Sequence, residues 1–130
     1  MFIPFCFGDD FASHDSDGDA YPVSSRSWTQ LYMSSRAGEY IRFDIDCYSV
    51  DPLILEVEGS SSEVAYRVAY FLARETNGYV TDCEGKAISD VDLVEHMGDF
   101  DLEGRLELAD ASIWRSSSDV NPYPNLDAEF

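Results

Sequence analysis

Ile41-Arg42-Phe43-Asp44-Ile45-Asp46-Cys47-Tyr48-Ser49-Val50-Asp51-Pro52-Leu53-Ile54-Leu55-Glu56-Val57-Glu58 is the stretch from which the architecture of this chain can be read. Ile41, Phe43, Ile45 and Cys47 alternate with Tyr40, Arg42, Asp44, Asp46 and Tyr48. Successive side chains of a strand point to opposite faces, so the first set belongs to a core face and the second to a wet face. After a turn at Ser49-Val50-Asp51-Pro52 the pattern resumes, with Leu53, Leu55 and Val57 inward and Glu56 and Glu58 outward. Two such runs joined by a short Pro-containing turn predict an antiparallel hairpin.

On the C-terminal side the period changes from two to that of a helix. Ser60 followed three residues later by Glu63 has the form of a capping box. Val64, Ala65, Val68, Phe71 and Leu72 then make one apolar stripe, with Tyr66 and Tyr70 near its edge. Asn77-Gly78 supplies a left-handed stop. A short strand is expected at 79–81, after which a turn at Asp82-Cys83-Glu84-Gly85 leads into Lys86-Ala87-Ile88. A second short helix is expected from Ser89, its cap, to Met97. From Phe100 to Trp114 the pattern reads as strand, with Leu106 and Leu108 inward. On the N-terminal side, 27–33 reads as a strand and the Asp-, Ser- and Gly-rich residues 9–27 as a long loop. The tail from about 115 is loop-like. With no repeat and no linker, residues 1–130 read as a single acidic domain. Its expected class is α+β: a mostly antiparallel sheet with one principal amphipathic helix on one face. One helix cannot cover both faces of a sheet, so the other must be solvated or covered by loops or a partner.

Charge narrows the function classes. The chain has 26 Asp plus Glu against 8 Lys plus Arg, a formal net charge of −18. Direct nucleic-acid binding needs cations against phosphate, and an anionic membrane surface would repel this chain. Disorder is excluded by 45% hydrophobic and 14% aromatic residues, enough to build a core. The N-terminal Met1-Phe2-Ile3-Pro4-Phe5-Cys6-Phe7-Gly8 lacks the basic n-region and cleavage site of a secretory signal. Cys6, Cys47 and Cys83 are widely spaced and odd in number, which points to reduced, buried thiols and a cytoplasmic location.

Motifs of catalysis and metal binding fail on inspection. A calcium loop counted from Asp15 places Asp17 and Asp19 correctly, but then needs Gly and Glu where Ala20 and Arg26 stand. The plainer explanation is a solvated acidic loop. His14 and His96 have no nucleophile-elbow Ser or Cys to serve, and no phosphate-binding or dinucleotide fingerprint occurs. No catalytic residue, metal ligand or cofactor is therefore assigned.

The distribution of acids is more informative. Six acids and no base lie between Arg42 and Arg67, and ten acids between Asp82 and Asp110 accompany only Lys86 and Arg105. The hairpin sets Asp44, Asp46, Glu56 and Glu58 on one outer face beside Tyr40 and Tyr48. Like charges on neighbouring strands repel, and surplus charge weakens the compact state. A basic partner relieves that cost, while aromatics among the acids act as anchors. Those six residues are the candidate partner-binding set. Solubility alone is the competing explanation for an acidic surface.

One segment, Ala65 to Gly85, resembles small bacterial immunity proteins. An amphipathic helix (Ala65 to Glu75) ends in Thr76-Asn77-Gly78 and feeds Tyr79-Val80-Thr81, closing with Asp82-Cys83-Glu84-Gly85. The resemblance implies an inhibitor without chemistry of its own, which occludes a secreted polymorphic or contact-dependent toxin or holds it inactive. Many such toxins have basic clefts that suit an acidic inhibitor. Two further readings remain open. Outward carboxylates two apart on a strand lie about 6.6–6.8 Å apart, a spacing that can imitate phosphates in a DNA-mimic inhibitor from a phage or mobile element. Carboxylates can also serve a metal- or carboxylate-dependent enzyme, whose cation binding calorimetry with calcium, magnesium and manganese would expose.

Overall fold

The alternation at 41–58 is realised as a hairpin in the computed structural model, which describes residues 2–7, 12–14, 30–35 and 41–112. Strands β1 (Ala12–His14), β2 (Gln30–Ser35), β3 (Arg42–Val50) and β4 (Leu53–Gly59) form one antiparallel sheet in the order β1-β2-β3-β4. Leu31 faces Ile45 and Met33 faces Phe43 across β2 and β3, and Ile45 faces Val57 across β3 and β4. The inward residues Leu31, Met33, Phe43 and Ile45 are buried, as the period of two requires. Near the hairpin tip the register shifts between Cys47 and Ser49, and Tyr48 becomes the extra residue. Such an insertion bends the strand and sharpens its twist.

Helix α1 spans Phe2–Phe7 and α2 Ser62–Thr76; α3 (Asp90–His96) and α4 (Leu102–Asp110) follow. Helix α2 lies on the apolar face of the sheet, burying Val64, Val68, Phe71 and Leu72. Its cap is Ser61, whose side chain accepts from the Val64 amide at 3.3 Å. The expected Ser60 is already in use. The Ser60 amide donates to the Arg42 carbonyl (2.8 Å), and the Arg42 amide donates to Ser60 Oγ (3.2 Å), which closes the β3–β4 ladder. Capping therefore passes one residue on, and Glu63 pairs with Arg67 instead of closing a capping box. Gly59 fits this exchange because a Cβ there would lie 2.8 Å from the Ala65 amide nitrogen. At the other end Asn77 takes the left-handed conformation (φ 55°, ψ 39°) and stops the helix as expected.

Helix α1 joins the two layers. Phe5 stacks on Phe71 of α2 (centroids 4.4 Å apart) and meets Phe100 edge-on (5.5 Å), while Phe7 stacks on Phe43 of β3 (6.0 Å). Two arginines on α2 hold the C-terminal part. Arg67 donates to the Met97 carbonyl (2.9 Å) and covers the Phe100 ring at 4.6 Å. Arg74 grips the Asp110 carboxylate through two bonds of 3.0 and 2.9 Å.

The α+β expectation, with the principal helix on one face and a second short helix, therefore stands. Ser89 caps α3, accepting from the Asp92 amide. Several details are corrected. The expected strand at 100–114 is helix α4 over Leu102–Asp110, capped by Asp101. Leu102, Leu106 and Ala109 pack on the core at helical spacing, and Leu108, expected inward, is 47% exposed. The loop expected over 9–27 contains strand β1 at 12–14. The short strand at 79–81 reduces to one bridge between Thr81 and Ala87, around a turn whose Asp82 carboxylate accepts from the amides of Glu84 and Lys86. Residues 1, 8–11, 15–29, 36–40 and everything after 112 lie outside the described residues, including the calcium-like run and the tail.

Truncating Phe5 removes the ring that bridges the layers. Phe5→Ala should lower unfolding free energy by about 3–5 kcal/mol, in the range for deleting a buried Phe. Urea denaturation followed by circular dichroism measures it, and an unchanged midpoint would take α1 out of the core.

Candidate functional site: the acidic face of the sheet

The outward positions of β3 and β4 meet in register. Asp44 faces Glu58 and Asp46 faces Glu56, so the pairing sets two carboxylates directly opposite two others. On the other side of β3, Tyr32 faces Asp44 and Gln30 faces Asp46. Asp46, Glu56 and Glu58 are exposed, and Asp44 is half-buried. Opposed residues in an antiparallel pair have Cβ atoms about 4.5–5.5 Å apart, where like charges destabilise. Four of the six sequence-predicted site residues are thus brought together. Tyr48 stands 71% exposed at the register shift, two residues beyond Asp46. Tyr40 lies outside the described residues.

One cation enters this group. Arg42 donates to Asp44 at 3.1 Å. Among the described residues, no hydrogen bond or ion pair engages the carboxylates of Asp46, Glu56 or Glu58. Partial burial pushes the Asp44 carboxyl above its ordinary value; Arg42 pulls it back, and Asp46 and Glu58 add to the rise.

The second acid-rich region behaves differently, since most of its carboxylates have local work. Asp82 accepts two amides in its turn, and Asp101 caps α4. Asp90 and Asp92 sit in the first turn of α3 and Glu103 in that of α4, where the helix dipole favours anions. Asp110 holds Arg74. What sets the sheet face apart is its register, which places carboxylates directly opposite one another.

Sequence reasoning missed three features of this surface. Arg42 acts as its internal counter-ion, although it stands in the same outward series. Tyr32 and Gln30 extend the face onto β2, as the alternation Gln30-Leu31-Tyr32-Met33 would have indicated. Val50 and Ile54 are exposed at the tip beside Tyr48, where the register shift breaks the simple alternation.

Cys6, Cys47 and Cys83 form no disulfide; Cys47 Sγ donates to the Ser49 carbonyl (3.5 Å), and burial pushes the Cys6 thiol up to about 12. Cys83 is exposed on its turn, which corrects the expectation that all three are buried. Among the described residues no cluster of three or more His, Cys, Asp or Glu is arranged to hold a metal ion. No helix among them is long and apolar enough to cross a membrane. Comparison with protein-family models, curated proteins and solved structures finds no match to this chain.

Two outcomes follow from the electrostatics. Replacing one member of an opposed pair, Glu58→Lys, should raise stability by about 0.2–1 kcal/mol by turning repulsion into attraction, and the gain should shrink in 1 M NaCl as screening removes it. Asp44 binds its proton more tightly folded than unfolded, so its contribution to stability is fully present at acid pH, below the unfolded-state value. That contribution is lost as pH rises through the folded-state value. Asp44→Asn should therefore be more stable than the parent at pH 7, with the difference narrowing toward pH 4. Urea midpoints at the two pH values decide this, and a difference that widens on acidification would reverse the assigned sign.

Proposed function

We propose that this chain is an acidic protein-binding inhibitor, an immunity protein that blocks a cognate bacterial toxin by steric and electrostatic occlusion in the cytoplasm. The observation that carries the reading is the facing of Asp44 with Glu58 and Asp46 with Glu56, compensated by Arg42 alone among the described residues. A surface that costs stability in the free protein gains from a cationic partner, which steers association and removes the repulsion. Tyr48 at the rim, with Val50 and Ile54, adds the apolar contact that charge alone does not supply. The likeness of residues 65–85 to immunity proteins agrees with an inhibitor that performs no reaction of its own.

Affinity capture from the native host tests this, with parent and an Asp46→Lys/Glu56→Lys double variant compared side by side. The expected result is one basic polypeptide, encoded next to this gene, retained by the parent and lost by the variant. Expression of the parent should also protect a host from that polypeptide. Retention by both proteins overturns the assignment of this face. A broad set of nucleic-acid-binding proteins displaced by duplex DNA would replace the immunity reading with a DNA mimic.

A further inference from the structure

Among the described residues the sheet ends in β4, whose far side has no neighbouring strand. The hydrogen-bond pattern shows which of its backbone groups are left open. Ser60 bonds to Arg42, and in an antiparallel pair the bonded pairs recur every second residue. Asp44 with Glu58 and Asp46 with Glu56 are therefore the bonded pairs, whereas Ile45 with Val57 and Cys47 with Leu55 are not. The bond from the Ser35 amide to the Ile41 carbonyl gives the same answer from the other side, since it aims the odd-numbered residues of β3 at β2. The N–H and C=O groups of Leu55 and Val57 thus point away from the sheet. Among the described residues nothing bonds to them.

An open edge is a template for another strand, and proteins commonly guard it with charge. Here Glu56 and Glu58 flank the open groups and are exposed. A second copy of this chain added there would bring glutamates against glutamates. A strand bearing cations at the same positions would not be repelled. In an added antiparallel strand, residues opposite Glu56 and Glu58 form non-bonded pairs, where the Cα atoms approach to about 4.5 Å and side chains lie closest. Residues opposite Leu55 and Val57 would exchange main-chain bonds and place their side chains on the apolar side.

We propose that the β4 edge takes up an extended segment of the partner as a fifth strand, with Lys or Arg at alternate positions against Glu56 and Glu58 and smaller apolar or hydroxyl side chains between them. This names how a cationic partner docks and so rests on the inhibitor reading above. It differs from that reading in requiring main-chain bonds, which charge attraction does not.

The distinction is testable on the full chain with a synthetic, end-blocked heptapeptide alternating lysine with valine or threonine. Its twin carries N-methyl groups on the amides that would face β4, leaving charge unchanged. At low ionic strength, nuclear magnetic resonance titration should show the first peptide protecting the Leu55 and Val57 amides from exchange. The methylated peptide should bind at least roughly tenfold more weakly, since losing two or three hydrogen bonds corresponds to that change or more. Equal affinity of the two peptides, protection that spares Leu55 and Val57, or no binding by either at millimolar concentration overturns strand addition. If the capture experiment still returns a basic partner that the Asp46→Lys/Glu56→Lys variant loses, the inhibitor reading survives and the edge alone is abandoned.

Discussion

The burial of two aromatic rings between helix and sheet is the constraint on which this structure depends. A sheet of four short strands and one long helix has little area to bury, and small domains stand near the limit of stability. Phe5 and Phe7 extend that area by filling the space between the layers, the first against Phe71 and the second against Phe43. Offset and edge-on aromatic pairs add to simple burial. With α1 in place, α4 has a surface to pack on, and Leu102, Leu106 and Ala109 become core residues. Phe5 and Phe7 of this N-terminal helix are thus part of the core.

The same arrangement explains what could be read in advance. The β3–β4 hairpin and α2 carry their own periodicity, so 41–58 and the Val64-Val68-Phe71-Leu72 stripe were legible without tertiary information. Helix α4 was not, because Leu106 and Leu108 mimic a strand's alternation while the true contacts run Leu102, Leu106, Ala109. Only the presence of α1 distinguishes the two. Helix α1 itself is a single apolar run with no helical period to recognise. The shift of the cap from Ser60 to Ser61 was equally hidden, since it depends on Ser60 closing a ladder with Arg42, eighteen residues away. For the acidic face, alternation was sufficient to gather Asp44, Asp46, Glu56 and Glu58. It could not supply the register that sets them in opposed pairs, nor which backbone groups β4 leaves open.

Charge in this chain divides into two kinds. Carboxylates at helix starts and in the 82–86 turn are balanced by amides and dipoles, so they belong to the folding of the chain. On the sheet Asp44 has Arg42, whereas Asp46, Glu56 and Glu58 engage no such partner among the described residues. Opposed pairs carry a cost in repulsion that solubility alone does not require. Charge of this kind beside an open strand is also a common guard against pairing with a second copy.

Arg67 has a consequence for motion. Helix α3 has seven residues, of which Leu93 alone is buried, and its end is tied to α2 by the guanidinium bond to Met97 and by the Tyr66–His96 stack. A segment with so few anchors opens to solvent at lower cost than the whole molecule unfolds. One long side chain therefore works as a latch: Arg67 fastens residues 90–96 beside Met97, which is itself fixed in the core.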